Sequence, residues 1–134
     1  MLDMVLRRQG LICCDQCDDG SVALQHIQTI GLQYYDIIFM DSMMPVMCGP
    51  ETATVLRTLG YSALIIGVTG NALDVDILSF EQAGVDCVIP KPIQMNLLTK
   101  VLQYGQLYGY HSHHTDPTLP LVSSSHLIVL MPMC

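Results

Sequence analysis

Three polar residues directly follow short apolar segments of the chain. Asp41 follows residues 35–40, Thr69 follows residues 64–68, and Lys91 follows residues 87–90. Each has an ordinary structural explanation when taken singly, because Asp and Thr often cap helices and a Lys beside proline is often a solvated turn charge. Together they offer a carboxylate, a hydroxyl and an ammonium. This combination predicts a site that binds and carries a charged group.

Apolar patterning indicates the elements that must position these residues. The apolar runs at 11–14, 35–40, 63–68 and 87–89 have the length of strands and do not alternate with polar residues, which is typical of parallel strands covered on both faces. Five glycines each end a stretch in which apolar residues recur every three or four positions, as in a helix: Gly10, Gly31, Gly60, Gly84 and Gly105. The resulting order is αβαβαβαβα.

Strands alternating with helices predict an α/β fold with a doubly wound parallel sheet. In such sheets ligands bind beyond the carboxyl ends of the strands. Because Asp41, Thr69 and Lys91 each follow a strand, we expect all three to meet at that edge.

Composition excludes several classes of function. The 134 residues suit one domain, and a hydrophobic fraction of 51% is enough to build a core. Five Lys and Arg residues oppose twelve Asp and Glu residues, so the net charge of −7 disfavours nucleic acid and anionic membrane surfaces. No apolar stretch reaches the length of a membrane span, and we expect a cytoplasmic chain whose full-length parent could be membrane-attached. The six cysteines are expected to be reduced thiols.

Four segments, in order along the chain, resemble the motifs of response-regulator receiver domains: residues 17–24, 36–49, 67–72 and 83–92. The resemblance covers residues 1–108. Its Met-Met-Pro and Pro-Lys-Pro sequences are similar to those of receivers attached to hybrid histidine kinases. The resemblance implies the flavodoxin-like form of the doubly wound sheet, with strand order 2-1-3-4-5. It also implies that the domain acts in a two-component phosphorelay as a phosphoryl acceptor and switch, rather than as an enzyme.

The resemblance assigns roles to the three residues at the strand ends. Asp41 would be the phosphoacceptor, taking a phosphoryl group from a phosphohistidine on a histidine kinase or a histidine phosphotransfer protein. Lys91 would neutralise charge on the phosphoryl oxygens. Thr69 would hydrogen-bond the attached phosphoryl group and draw the following loop inward as the conformational switch.

The resemblance also implies roles for the surrounding loops. Met44 and Pro45 would shape the loop after the phosphoacceptor, and Gly49 would permit its tight turn. The peptide bond between Lys91 and Pro92 is expected to be cis. Asp41 and the backbone carbonyl of Met43 would bind Mg²⁺.

The sequence departs from the family before Met1. Family members begin with a strand that ends in an acidic pair holding Mg²⁺, a cation that requires several oxygen ligands. That strand is expected before Met1, so the sequence is interpreted as an N-terminally truncated receiver with a gap in the centre of its sheet. We therefore expect Mg²⁺ to bind weakly or not at all. A pseudo-receiver that only docks protein partners is the alternative function.

The C-terminal part and the cysteines carry the remaining hypotheses. Residues 109–134 are rich in His, Ser, Thr and Pro before a final apolar run, and they are predicted to be a disordered tail. Cys14 and Cys17 have the spacing of a redox or zinc pair. Since no second pair lies nearby, a thiol-rich strand end is favoured over a thiol or metal protein.

Overall fold

Residues 13–70, 74–100 and 126–130 are described by a computed structural model. Its elements are β1 (Cys13–Cys17), α1 (Gly20–Ile30), β2 (Ile37–Asp41), α2 (Gly49–Leu59), β3 (Leu64–Thr69), α3 (Asp74–Gln82), β4 (Cys87–Pro90) and β5 (His126–Leu130). Residues 95–100 are also helical. The predicted first helix, and the end of the predicted fifth, lie outside the described residues.

The five strands form one parallel sheet in the order β1-β5-β2-β3-β4. This confirms the predicted doubly wound α/β architecture. Every residue of β2 and β3 is buried. Because successive side chains of a strand point to opposite faces, this burial means that both faces of the sheet are covered there.

The predicted gap in the centre of the sheet is wrong. β5 occupies that position, pairing with β1 from Cys13↔His126 to Cys17↔Leu130 and with β2 from Ile37↔Leu127 to Met40↔Leu130. Without it, the facing edges of β1 and β2 would leave their backbone donors and acceptors unpaired in the middle of the sheet. An apolar segment of strand length can satisfy both edges at once.

The predicted disordered tail is therefore wrong for residues 126–130, which are this fifth strand. Their apolar sequence has strand character, but the polar segment before it led to the interpretation as a tail. The pairing partners lie far away along the chain and leave no local signal. Residues 109–125 and 131–134 lie outside the described part of the chain.

Local sequence explains where the helices begin and end. Asp19 caps α1 by accepting a hydrogen bond from the backbone N–H of Ser21 at 2.8 Å. Pro50 lies in the first turn of α2, where its missing N–H costs nothing. Gly60 ends that helix with φ of 103°, a left-handed conformation that glycine adopts without strain. Within the described residues, no helix is both long and apolar enough to cross a membrane.

Candidate functional site

The three residues predicted to meet at one edge of the sheet do lie at that edge. Asp41 is the last residue of β2, Thr69 is the last of β3, and Lys91 follows the last residue of β4. The strand register aligns them, since Asp41 pairs with Val68, and Thr69 pairs with Pro90. The backbone N–H of Lys91 also donates to the Thr69 carbonyl at 2.8 Å.

Asp41 and Lys91 form an ion pair at this edge. The Nζ atom of Lys91 lies 2.5 Å from Oδ2 of Asp41. The Asp41 residue is only 5% exposed, whereas the Lys91 side chain is 39% exposed. The carboxylate is thus held inside the rim of the sheet while the ammonium reaches it from the solvent side. The peptide bond between Lys91 and Pro92 is cis, which confirms that prediction.

Thr69 is buried beside the residue that follows Asp41. The hydroxyl of Ser42 lies 3.4 Å from the Thr69 hydroxyl and donates to it, and the Ser42 N–H donates to the Val68 carbonyl at 3.0 Å. No role was predicted for Ser42 from the sequence. Its position directly after the predicted phosphoacceptor is the only signal that could have identified it.

The loop after Asp41 is held close to the carboxylate. The N–H of Met43 donates to Asp41 Oδ1 at 3.1 Å, and the Gly49 N–H donates to the Ser42 carbonyl at 3.1 Å. A Cβ atom at Gly49 would lie 2.3 Å from the Asp41 carbonyl oxygen. Glycine is therefore needed for this close approach between α2 and β2, rather than for the tight turn that was predicted.

The side chains of this loop differ in their burial. Met44 and Met47 pack partly against the core, whereas Met43, Pro45 and Val46 are exposed. Met44 and Pro45 lie where the sequence predicted, between the phosphoacceptor and the following helix. Pro92 lies on the exposed loop after Lys91.

Asp19 is a buried carboxylate of this region that sequence reasoning missed. Its Oδ1 atom accepts from the N–H groups of Val46 at 2.7 Å and Met47 at 3.2 Å, and its Oδ2 atom accepts from the Ser21 hydroxyl at 2.6 Å. Burial opposes ionisation, but the hydrogen bonds from Ser21, Val46 and Met47 prevail and lower the pKa of Asp19 to about 2. An Asp before a helix predicts a cap, but it does not predict contact with a distant loop.

The donor set at this edge does not fit the magnesium site of the receiver family. Mg²⁺ requires several oxygen ligands in near-octahedral geometry. Both Asp41 oxygens already accept hydrogen bonds, and the Asp19 carboxylate is engaged by the α1 cap and the loop. β5 stands between β1 and β2, where the family has its first strand, and the sequence after it reads Met131 and Pro132 rather than an acidic pair. In the described ranges, no three His, Cys, Asp or Glu side chains are grouped to hold a metal ion.

The structure gives little support to a thiol or metal function at Cys17. Burial, followed by the nearby charge of Asp15, raises the pKa of the Cys17 thiol, whereas a redox thiol requires a lowered pKa. The side chain of Cys14 lies outside the described part of the structure, as do His111, His113 and His114.

A family model described as the response regulator receiver domain matches residues 1–103. A two-component response regulator of Oryza sativa subsp. japonica is 33% identical over 88 residues, which cover 66% of this chain and 68% of that protein. Two-component system protein A of Emericella nidulans is 30% identical over 122 residues, covering 76% of this chain but only 18% of the fungal protein.

Solved structures agree with these sequence matches. The crystal structure of the receiver domain of a sensor histidine kinase from Pseudomonas aeruginosa PAO1, with a magnesium ion coordinated in its active-site cleft, has a TM-score of 0.65 and 30% identity. The match covers 77% of this chain and 83% of that one. The family model matches residues 1–103, which is well over half of the chain. The chain therefore belongs to the response regulator receiver domain family.

Proposed function

We propose that this receiver domain accepts a phosphoryl group on Asp41 from a phosphohistidine and serves as a conformational switch in a two-component phosphorelay. The ion pair between the buried Asp41 carboxylate and the half-exposed Lys91 ammonium is the observation that carries this proposal. A nucleophile and a fixed positive charge are the two components that phosphoryl transfer requires from a protein at a minimum. The domain would act as a phosphoryl acceptor rather than as an enzyme.

In the proposed reaction, an oxygen of the Asp41 carboxylate attacks the phosphorus atom of the phosphohistidine. The new P–O bond forms as the P–N bond breaks, and its electron pair leaves with the imidazole of the donor. Lys91 neutralises the charge on the phosphoryl oxygens. Because Lys91 Nζ already contacts Asp41 Oδ2, a phosphoryl group attached at that oxygen would be within its reach.

Thr69 is the proposed switch residue. Its buried hydroxyl lies at the end of the strand next to β2 and accepts from Ser42 at a long 3.4 Å. A phosphoryl group on Asp41 offers stronger acceptors than a neutral hydroxyl does. We therefore propose that phosphorylation redirects the Thr69 hydroxyl toward the phosphoryl group and moves the loop that follows β3.

The proposed partner is a histidine kinase or a histidine phosphotransfer protein. Relatives of the chain include a sensor histidine kinase of Escherichia coli strain K12 and the rice response regulator described above. Receivers therefore occur both inside kinases and as separate regulators among its relatives. On this basis we propose that the full-length protein containing this domain is either a hybrid kinase or a separate regulator.

Phosphoryl uptake from acetyl phosphate, measured by intact mass, tests the proposal. We expect the wild-type chain to gain the mass of one phosphoryl group and Asp41→Asn to gain none. Asp18→Asn is the matched control, because Asp18 is an exposed carboxylate that is not part of the candidate site. Unchanged uptake by Asp41→Asn would refute the assignment. Since the donor set does not fit Mg²⁺, we expect uptake to depend only weakly on added Mg²⁺.

A pseudo-receiver that only docks partners is the second candidate. The incomplete set of magnesium ligands favours it, because other receivers use that ion to neutralise phosphoryl charge. This candidate predicts no uptake by the wild-type chain and equal affinity of the wild type and Asp41→Asn for a partner kinase. Uptake that depends on Asp41 would exclude it.

A further inference from the structure

We propose that Asp19 is a positioning residue for phosphoryl acceptance, holding the loop of residues 42–48 in the geometry that orients Asp41. The inference rests on the proposed function of Asp41. Asp19 lies on a different element, the junction between β1 and α1, and is joined to the loop by hydrogen bonds to the Val46 and Met47 backbone.

Two apolar side chains of the loop, Met44 and Met47, pack partly against the core, but two others bury little surface. The side chains of Met43 and Val46 are 78% and 77% exposed. Hydrophobic burial therefore contributes little to fixing the positions of Met43 and Val46. The short bond from the Val46 N–H to the Asp19 carboxylate, at 2.7 Å, is of the charge-assisted kind and stronger than one to a neutral acceptor.

Close packing brings Asp19 within reach of the loop. A Cβ atom at Gly20 would lie 1.8 Å from the Thr52 hydroxyl oxygen and 2.9 Å from the Met47 carbonyl oxygen. Only glycine permits α1 to approach α2 and the loop this closely. The N-terminus of α1 and the loop of residues 42–48 thus form one packed unit with Asp19 at its centre.

The loop in turn orients the reacting carboxylate. The Met43 N–H donates to Asp41 Oδ1, while Oδ2 contacts Lys91. If the loop loses its anchor, the Met43 N–H moves and the carboxylate is free to rotate away from Lys91. Small displacements of a reacting group lower rates strongly, so Asp19 affects the reaction without contacting the phosphoryl group.

Three variants test whether Asp19 positions the loop. Asp19→Ala removes the acceptors for both the cap and the loop, Asp19→Asn keeps an oxygen that can accept from Val46 and Met47, and Ser21→Ala removes only the hydroxyl contact to Asp19. We expect Asp19→Ala to lower the rate of phosphoryl uptake at saturating acetyl phosphate by about tenfold or more. The concentration of acetyl phosphate that gives half of the maximal rate should change less. Asp19→Asn should recover most of the rate, and Ser21→Ala should stay within about twofold of wild type.

Amide hydrogen exchange at Val46 and Met47 provides an independent measurement of the anchor. We expect faster exchange at both amides in Asp19→Ala but not in Ser21→Ala. Rates are compared at equal folded fractions, determined by denaturation, so that lost stability is not counted as lost positioning. Equal rates of uptake and exchange in Asp19→Ala and Ser21→Ala would overturn the inference.

The two proposals can fail separately. A wild-type chain that gains no phosphoryl group refutes the function proposed for Asp41 and, with it, the catalytic part of this inference. The exchange at Val46 and Met47 still decides whether Asp19 anchors the loop. Uptake by the wild type with unaltered exchange in Asp19→Ala refutes the anchor alone.

Discussion

The two halves of the sheet are built in different ways. β2, β3 and β4 follow one another along residues 37–90, with the helices of the same segment between them. β1 and β5 come from opposite ends of the described chain and pair with each other in parallel. All three side chains of the candidate site lie at the carboxyl ends of strands of the first half. The second half supplies none of them.

The halves are joined by backbone pairing and by a few side chains. β5 pairs with β2, and Tyr35 donates from its hydroxyl to Asp15 Oδ2 at 2.5 Å, linking the chain before β2 to β1. His26 Nε2 lies 2.9 Å from the same hydroxyl oxygen. Since that hydroxyl has only one proton, which goes to Asp15, His26 must be the donor in this contact. Under the inference drawn for Asp19, one half holds the reactive groups while the other positions the loop beside them.

The largest expected effect follows from disrupting β5 with Ile128→Pro. Ile128 pairs with Asp15 on one side and with Ile38 on the other. Proline removes an amide donor, and a central strand has no solvent-facing edge that tolerates the loss. We expect the free energy of unfolding, measured by urea denaturation, to fall by about 3 kcal/mol or more.

Hydrogen exchange on the same variant sharpens the comparison of the halves. If the two halves of the sheet unfold separately, the amides of β1 lose their protection from hydrogen exchange first, whereas the amides of β3 and β4 stay protected. Ile128→Val is the control, because it keeps the backbone donor and the β-branched shape. A stability and an exchange pattern equal to those of the wild type in Ile128→Pro would show that β5 does not complete the sheet.

An intermediate effect is expected from Arg57→Ala. This variant tests the half formed by β2, β3 and β4, at the edge of the sheet opposite the candidate site. The Arg57 guanidinium donates to the carbonyls of Tyr61, Ala63 and Gly84 and pairs with Asp86 at 2.9 Å. Asp86 also accepts from the Ile65 N–H at 2.9 Å. Removing the guanidinium leaves several acceptors without their donors, so we expect a loss of about 2 kcal/mol in the free energy of unfolding.

Arg57→Lys is the matched control for this prediction. Lysine keeps the charge but cannot present a planar fork to several carbonyl groups at once. We expect it to restore less than half of the lost stability in the same denaturation experiment. Full restoration by lysine would mean that charge, rather than the pattern of hydrogen bonds, stabilises this edge.

The half containing the site was also the half that the sequence predicted well. The segments predicted as β2, β3 and β4 lie within two residues of the observed strands, because an unbroken apolar run indicates a buried strand locally. Gly31 and Gly60 end helices as expected. Asp41, Thr69 and Lys91 were predicted at one edge because parallel strands carry their carboxyl ends to the same side.

The half containing β5 was predicted poorly because its pairing is determined by distant residues. A short apolar run does not indicate which strands it will join, and residues 126–130 follow a polar segment. The contacts of Asp19 and Arg57 were missed for a related reason. Asp19 contacts the distant backbone of Val46, and Arg57 contacts the distant backbone of Gly84, and backbone groups have no sequence signature.

The smallest effect on stability, but a large one on function, is expected from Lys91→Gln. The Lys91 side chain is more exposed than that of Arg57, at 39% against 23%, and its one described side-chain contact is Asp41. Glutamine can still donate to the carboxylate, so we expect a loss of about 1 kcal/mol or less in the free energy of unfolding. Uptake from acetyl phosphate should fall strongly, because no positive charge remains to neutralise the phosphoryl group. Lys91→Arg keeps that charge and serves as the control for uptake. A Lys91→Gln variant as unstable as Arg57→Ala, with normal uptake, would show that both ion pairs of this half are structural.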